Sequence, residues 1–552
     1  MDEKPNQISG AEILARTLKI LHIDTMFYIM GGPMLQVESH CIKQGIRAID
    51  VRHEQAGAMM AHGWGRSTNR VAVCMGCSGP GATNMVTGVA TAWADAVPVL
   101  AIGGAAPLAD LGGNRGIFQE IDQVAVFRPM TKMSERVNHI RRIPDMVATA
   151  LRVATSGRPG PVYLDMPGDI LYQTMDADKV VYPDPDRAFA KYRPHGAPEA
   201  IREAVDLLAK AERPIILSGS GILWSGASES LRRFVEQTGV PFYTTPQGRG
   251  VLPDDHDLAM LYARSTAFQE ADLLIVAATR SNYVNGHLSP PRFSANAKII
   301  QINIDPQEIG LTRPCDVGIV GDAKAVLDQL AQEAASRIDR ARYAPWVRKL
   351  AEINTAKERK AEQTLTSDAL PMHPLRLCKE VRDFLDRDAI LVVDGQEILN
   401  YARQSIPTFH PGHRINSGTM GTMGTGLPFG IGAKLAHPDK QVLVLHGDGS
   451  FGMSAMELDT AVRFKIPVVV VISLNGGWTS DPEGVKPGRE LGFTRYDLMA
   501  AALGCHAEYV EDPAQIRPAL ERAFKSGKPA VVNVKTDPMA RAATAKFSSY
   551  TT

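Results

Sequence analysis

Three doubly wound, parallel-sheet α/β domains in tandem are the fold class that this 552-residue sequence predicts. Three observations predict it. Apolar runs of strand length alternate with helical segments along nearly the whole chain, the pattern of parallel sheets covered on both faces. The first and last blocks share one layout, which makes them related halves around a middle domain. Glycine-rich turns follow the apolar runs, most densely at 447–450, and open parallel sheets place ligands at such strand ends.

The first domain takes residues 1–188. Its opening helix starts at Ser9, with Glu12 three positions on as a capping box. Strand-like runs follow at 26–30, 47–51, 71–75, 98–103 and 161–165, and the block closes in Pro183-Asp184-Pro185-Asp186. The middle domain, 195–345, has runs at 214–217, 241–244, 272–277 and 298–304, the first followed by Gly219-Ser220-Gly221. A charged stretch at 334–360 reads as a solvated helix and linker. The third domain, 370–540, opens with Met372-His373-Pro374. Its runs at 442–445 and 468–474 flank a helix at 454–464, with Met456, Leu458, Ala461 and Val462 as buried positions. Residues 541–552 form an Ala/Ser/Thr-rich tail that suits a lid over a site.

Composition narrows the function. Hydrophobic residues make up 44% and charged residues 22%, enough for several cores. Sixty basic residues balance 60 acidic ones. With no basic stripe, nucleic acid is not an expected partner. No apolar run reaches membrane-spanning length, the first residues lack a signal-peptide layout, and the last are not a peroxisomal address, so a cytoplasmic protein is expected. Of six cysteines only Cys74 and Cys77 lie close, and they read as two buried thiols near a strand end rather than a redox pair.

The chemistry is concentrated in the third block. Gly447-Asp448-Gly449-Ser450 follows one apolar run and Asn475-Gly476-Gly477 follows the next. One carboxylate, one amide oxygen and a backbone carbonyl suit Mg²⁺, which prefers hard oxygens and often takes phosphate oxygens as well. Glycines let the backbone approach a diphosphate at a helix start. Taken alone, these residues equally fit an ordinary βαβ crossover. In the first block, Arg52-His53-Glu54-Gln55-Ala56 opens a helix at 56–66, where a carboxylate gains from the amide dipoles. Ser78-Gly79-Pro80-Gly81-Ala82-Thr83-Asn84 follows the next strand. Ser417-Gly418-Thr419-Met420-Gly421-Thr422-Met423-Gly424 precedes the GDGS turn.

Together these motifs resemble the thiamine-diphosphate enzymes of the acetolactate synthase-like superfamily, over essentially the whole chain. The resemblance implies that Asp448, Asn475 and the Gly477 carbonyl hold Mg²⁺, with Gly447, Gly449, Ser450 and Trp478 around the diphosphate. It makes Glu54 the carboxyl that addresses N1′ of the aminopyrimidine and promotes the imino tautomer, with Asn84 among the cofactor-binding residues. Met423 becomes the apolar prop that bends the cofactor, and the Gly421 carbonyl accepts from its 4′-amino group. As plain structure, Met423 would be core packing. The first domain is then pyrimidine-binding and the third diphosphate-binding. Relatives pair these from different subunits, which implies a homodimer at least and a homotetramer as the fuller assembly.

Within the superfamily, the segment after Asn475 looks closest to 2-hydroxyacyl-CoA lyase and oxalyl-CoA decarboxylase. Phe118-Gln119-Glu120 stands where the decarboxylase has Tyr-Glu-Glu, and Met30-Gly31-Gly32-Pro33 puts a bare glycine where it has isoleucine. A roomier, less polar pocket suits an aldehyde or ketone fragment, which turns the reading toward a lyase releasing formyl-CoA. Phe118 and Gln119 are then candidate catalytic residues. Glu490 is a third, with a solvated loop carboxylate as its bland alternative. In the middle domain Arg264, Ser265, Arg280 and Asp305 are candidate CoA contacts, through forked donors to phosphates and a carboxylate to ribose. ADP as an activator, FAD, or no ligand stay open there. Oxalyl-CoA decarboxylase, an acetolactate synthase-like carboligase and a non-catalytic homologue are the alternatives. A nicotinamide dehydrogenase is remote, because the Gly219 turn lacks the full GxGxxG spacing.

Overall fold

The computed structural model describes residues 6–113, 115–481 and 483–542. Three parallel sheets follow one another. The first orders its strands Arg47–Asp50, Thr25–Tyr28, Ala72–Gly76, Val99–Ala105, Val162–Pro167 and Ser134–Arg136. The third orders Arg414–Ile415, Ile390–Asp394, Val442–Gly447, Val469–Leu474, Ala530–Lys535 and His506–Val510. Numbered by appearance within each domain, both run 2-1-3-4-6-5, so the likeness of the two outer blocks extends to their topology. The middle sheet runs Phe242–Thr244, Pro214–Ser218, Leu273–Ala277, Lys298–Asn303 and Val317–Val320. Central strands such as Ile390–Asp394 and Val469–Leu474 are buried at every position, as β-branched runs covered on both faces should be.

In each outer sheet the order reverses between the first and third strands, which opens a crevice at their carboxyl ends. Gly31 and Cys77 face each other across the first crevice, and Gly395 and Gly447 across the other. The two crevices carry the sequence motifs.

The outer domains pack on each other through the Glu54–Thr68 and Gly426–Ala436 helices. A side chain at Gly63 would strike the backbone of Phe429, and one at Gly432 would strike that of Met60. Reciprocal glycines therefore set this close approach. One apolar cluster spans both domains, including Met60, Trp64, Phe429 and Val444. The middle domain has its own core.

Three expectations need correction. The 454–464 helix is shorter, Glu457–Arg463, because Asp448–Gly452 forms a separate turn of helix before it. Leu458 and Ala461 are buried, but Met456 is 49% exposed. The 334–360 stretch begins where the Ala323–Ala334 helix ends, connects through 335–343 and enters a longer helix, Ala344–Leu365. Tyr343, Trp346 and Leu350 dock the longer helix onto the middle core, so it is not wholly solvated. Cys74 is buried, Cys77 is half-buried, and both thiols are free. The lid expected of the tail lies, apart from 541–542, outside the described residues.

Candidate functional site

At the diphosphate end, Asp448 opens a turn of helix at the end of the Val442–Gly447 strand and is 2% exposed. Its Oδ1 accepts from Gly449 N at 2.8 Å and its Oδ2 from Gly476 N at 2.7 Å. The Asn475 carboxamide aims one end at Asp448 Oδ1, 3.1 Å away, and at Gly477 O, 2.8 Å away. With nitrogen at that end the amide donates to both. With oxygen there, three oxygens converge, an arrangement that repels itself unless a cation lies among them. Adjacent ligands of an octahedral Mg²⁺ at about 2.1 Å sit about 3 Å apart, so these spacings fit the ion. Among the described residues no group of three His, Cys, Asp or Glu is placed for a metal, which disfavours a zinc-type site. Burial pushes the Asp448 carboxyl up to about 6, a cost that a bound cation would offset.

Ser450 ties this turn to the glycine-rich segment before it. His446 Nε2 accepts from Leu427 N at 2.9 Å, which leaves the proton on Nδ1, 2.9 Å from Ser450 Oγ. Burial drives His446 down to about 3, so the ring is neutral. Nothing in the sequence pattern marks His446 for this role. The Trp478 ring lies on Gly449, where a Cβ would collide with it. Glu490 is not aimed into a pocket: its side chain is 82% exposed and meets Arg489 Nη1 at 3.2 Å. The solvated alternative describes it.

At the other crevice, Glu54 begins its helix after His53, whose side chain caps Gln55 N. Glu54 is 8% exposed and accepts from Asn84 Nδ2 at 2.9 Å. Gly76 and Gly81 lie against it, so the SGPG turn leaves one edge of the carboxyl open. Ser78 Oγ donates to Gln119 Oε1 at 2.8 Å, leaving the Gln119 amide nitrogen as a donor. Gln119 sits at φ +58°, a strained conformation for a residue with a side chain, with its backbone against Gly79. Phe118 next to it is 82% exposed. Glu457 of the third domain accepts from Arg52 N and His53 N at 3.2 and 3.1 Å, an inter-domain brace that the sequence reading missed.

A cavity of about 1140 Å³ opens where all three domains meet. Gly421 and Met423 line it, whereas Glu54 and Asp448 do not. Glu54 and the Asp448 turn thus lie outside the wall that carries Gly421 and Met423. The segment carrying Gly421 and Met423 is pinned by Asp95, which accepts from Thr419 N at 3.1 Å and from Gln247 Nε2 at 3.0 Å. Arg264 and Arg280 line the cavity; Ser265 and Asp305 do not. Ser265 faces Lys357 Nζ at 3.2 Å, and Asp305 caps Gln307 N. Arg280 already pairs with Glu308 at 3.0 Å. Arg403, which no motif pointed to, joins Arg264 on the wall. Burial and then neighbouring arginines lower both guanidiniums, Arg403 to about 10. Neither has a hydrogen-bonding or ion-pair partner among the described residues.

Three family models match: the N-terminal TPP-binding domain of thiamine pyrophosphate enzymes over 8–126, the central domain over 201–330 and the C-terminal TPP-binding domain over 397–534. A 2-hydroxyacyl-CoA lyase of Arabidopsis thaliana is 34% identical, aligned over 98% of this chain and 97% of the relative. An acetolactate synthase large subunit of Mycobacterium tuberculosis is 36% identical over 97% of each. The oxalyl-CoA decarboxylase of Escherichia coli is 33% identical over 98% of this chain and 97% of its own length. With three matched domains in order and relatives aligned from end to end, the chain belongs to the thiamine pyrophosphate (thiamine diphosphate) enzyme family.

Proposed function

We propose that the protein is a carbon–carbon lyase that cleaves a 2-hydroxyacyl-CoA into formyl-CoA and an aldehyde or ketone. The observation that carries this is the three-domain cavity: its wall presents the unpaired Arg264 and Arg403, and Gly421 and Met423 line it too. A long polyanionic thioester fits such a space, with phosphates on the guanidiniums and its acyl end toward Met423.

Asp448, Asn475 and the Gly477 carbonyl would hold Mg²⁺, and the turn glycines would receive the diphosphate. Thiamine diphosphate, when bound, supplies a nucleophilic carbon for the thioester carbonyl and a sink for the electron pair of the breaking bond. Glu54, kept in place by Asn84, would address the pyrimidine ring with its carboxyl. Gln119, oriented by Ser78, offers its amide N–H to a substrate oxygen. In the overall reaction the C1–C2 bond breaks, the hydroxyl carbon becomes the aldehyde or ketone after losing its O–H proton, and C1 gains a proton to become formyl-CoA.

The apolar side chains left bare at both crevices support a second copy as partner. Met30 and Phe118 are 64% and 82% exposed on the first domain, Met420 and Met453 51% and 55% on the third. In a homodimer, Glu54 of one subunit would face the metal end of the other, and two such dimers would make the expected tetramer.

Incubation of the protein with a 2-hydroxyacyl-CoA, thiamine diphosphate and Mg²⁺ should release formyl-CoA. Carbon dioxide from oxalyl-CoA, or acetolactate from pyruvate with FAD bound, would replace this reading with one of the activities named among the relatives.

A further inference from the structure

Arg489 is almost wholly enclosed: its side chain is 5% exposed. Besides meeting the Glu490 carboxylate, its donors go to four backbone carbonyls, three in the 475–479 loop and one at Pro538. Nε donates to Thr479 O at 2.5 Å, Nη1 to Gly476 O at 3.3 Å, and Nη2 to both Asn475 O and Pro538 O at 3.3 Å. The guanidinium lies against Gly477, where any Cβ would collide with Nη1 and Cζ. The backbone adds Trp478 N to Arg489 O at 3.1 Å and Leu491 N to Gly476 O at 2.9 Å. The three residues whose oxygens would surround Mg²⁺ therefore include two, Asn475 and Gly477, that rest directly on this one side chain.

The same side chain reaches the end of the described chain through Pro538. A second anchor runs in parallel. Glu397 Oε2 accepts from Ala542 N at 2.9 Å, and Glu397 Oε1 accepts from Thr479 Oγ1 at 3.2 Å. Residues 538–542 and the loop after Asn475 thus share Arg489 and Glu397 as common fixed points. Only a planar fork with five N–H groups can serve this many carbonyls at once; an ammonium has three donors and no plane.

We propose that Arg489 is a positioning residue for the Mg²⁺ cradle, and that through it the chain segment 538–542 sets the cradle's affinity. This rests on reading Asp448, Asn475 and Gly477 as the metal site. Residues behind metal ligands fix their orientation, and their loss typically weakens metal binding about 10–100-fold. A merely structural arginine would instead lower the melting temperature of the cofactor-free protein and leave Mg²⁺ binding untouched.

The test titrates Mg²⁺ calorimetrically into full-length protein saturated with thiamine diphosphate. Arg489→Lys and a truncation after Asp537, which deletes the Pro538 carbonyl, should each weaken Mg²⁺ by about 10–100-fold. Combined, the two should cost no more than Arg489→Lys alone. A truncation after Ala542, which spares every contact named, should bind as the intact chain does. Wild-type Mg²⁺ affinity in Arg489→Lys overturns the proposal, and additive losses overturn the link to the chain end. Should Arg489→Lys fail to fold, the pair of truncations decides alone: equal affinities overturn it. Asp448→Ala separates the layers. Undiminished Mg²⁺ binding there defeats the cradle reading itself, whereas its loss beside an unaffected Arg489→Lys defeats only this inference.

Discussion

Arg403 is pressed among Arg264 and Arg249 without a counter-ion among the described residues, and under the proposed function a phosphate of the thioester would supply one. Replacing it should therefore have opposite effects on binding and stability. A hydrogen bond to a charged group is worth about 1.5–3 kcal/mol, so Arg403→Ala should raise KM for the CoA thioester about 10- to 150-fold. In the same variant the ligand-free protein should melt at a higher temperature, because an unpaired, partly desolvated cation has gone. Steady-state kinetics and a thermal melt measure both. Glu457 behaves differently, because its carboxyl belongs to the fold. Burial raises it from the ordinary 4.5 to about 7. The folded chain keeps this proton up to about pH 7, whereas the unfolded chain releases it near 4.5. Between those values the folded state binds more protons, so stability falls as pH rises, by at most about 1.4 kcal/mol per pH unit. Urea unfolding of Glu457→Gln across that window should show the slope reduced. At this scale Glu54, Asp448 and Asn475 were legible because each sits in a motif; Arg403, Asp95 and Glu457 were not, because the groups that surround them come from other domains.

At the scale of elements, the contact between the Glu54–Thr68 and Gly426–Ala436 helices is the most constrained join in the molecule. Gly63 and Gly432 each admit a neighbouring backbone that a methyl group would push away. Gly432→Ala should destabilise the protein by about 1–3 kcal/mol, the usual cost of overpacking a fitted core, as read from the urea midpoint. The strands were readable as apolar runs, since a strand buried on both faces needs little beyond continuous Val, Ile and Leu. The helix after the GDGS turn was misjudged because Met456 keeps the apolar type of an inward position while facing outward. Periodicity records the residue type and says nothing of which neighbours arrive. Likewise the charged stretch after the middle domain hid Trp346 and Leu350, whose burial comes from the domain they cover.

At the scale of the whole molecule, Glu54 and Asp448 lie in different domains and neither lines the three-domain cavity; under the proposed function a second copy would complete the cofactor site. Glu54→Gln and Asp448→Ala should each abolish turnover. If the subunits exchange freely, an equal mixture should recover roughly a quarter of wild-type activity, since half the dimers are mixed and each mixed dimer holds one intact site. No recovery under exchange would place both halves in one subunit. The sequence by itself determined the three α/β domains, the repeat of the outer two, and the residues at both crevices, because strand runs and glycine turns are local patterns bound to local geometry. Tertiary structure alone decided that Arg264 and Arg403 share a wall, that Ser265 and Asp305 leave it, and that Arg489 fastens the loop after Asn475 to Pro538. Those relations join residues apart in sequence, and only the packing of domains and of segments within them brings their charges and carbonyls within reach.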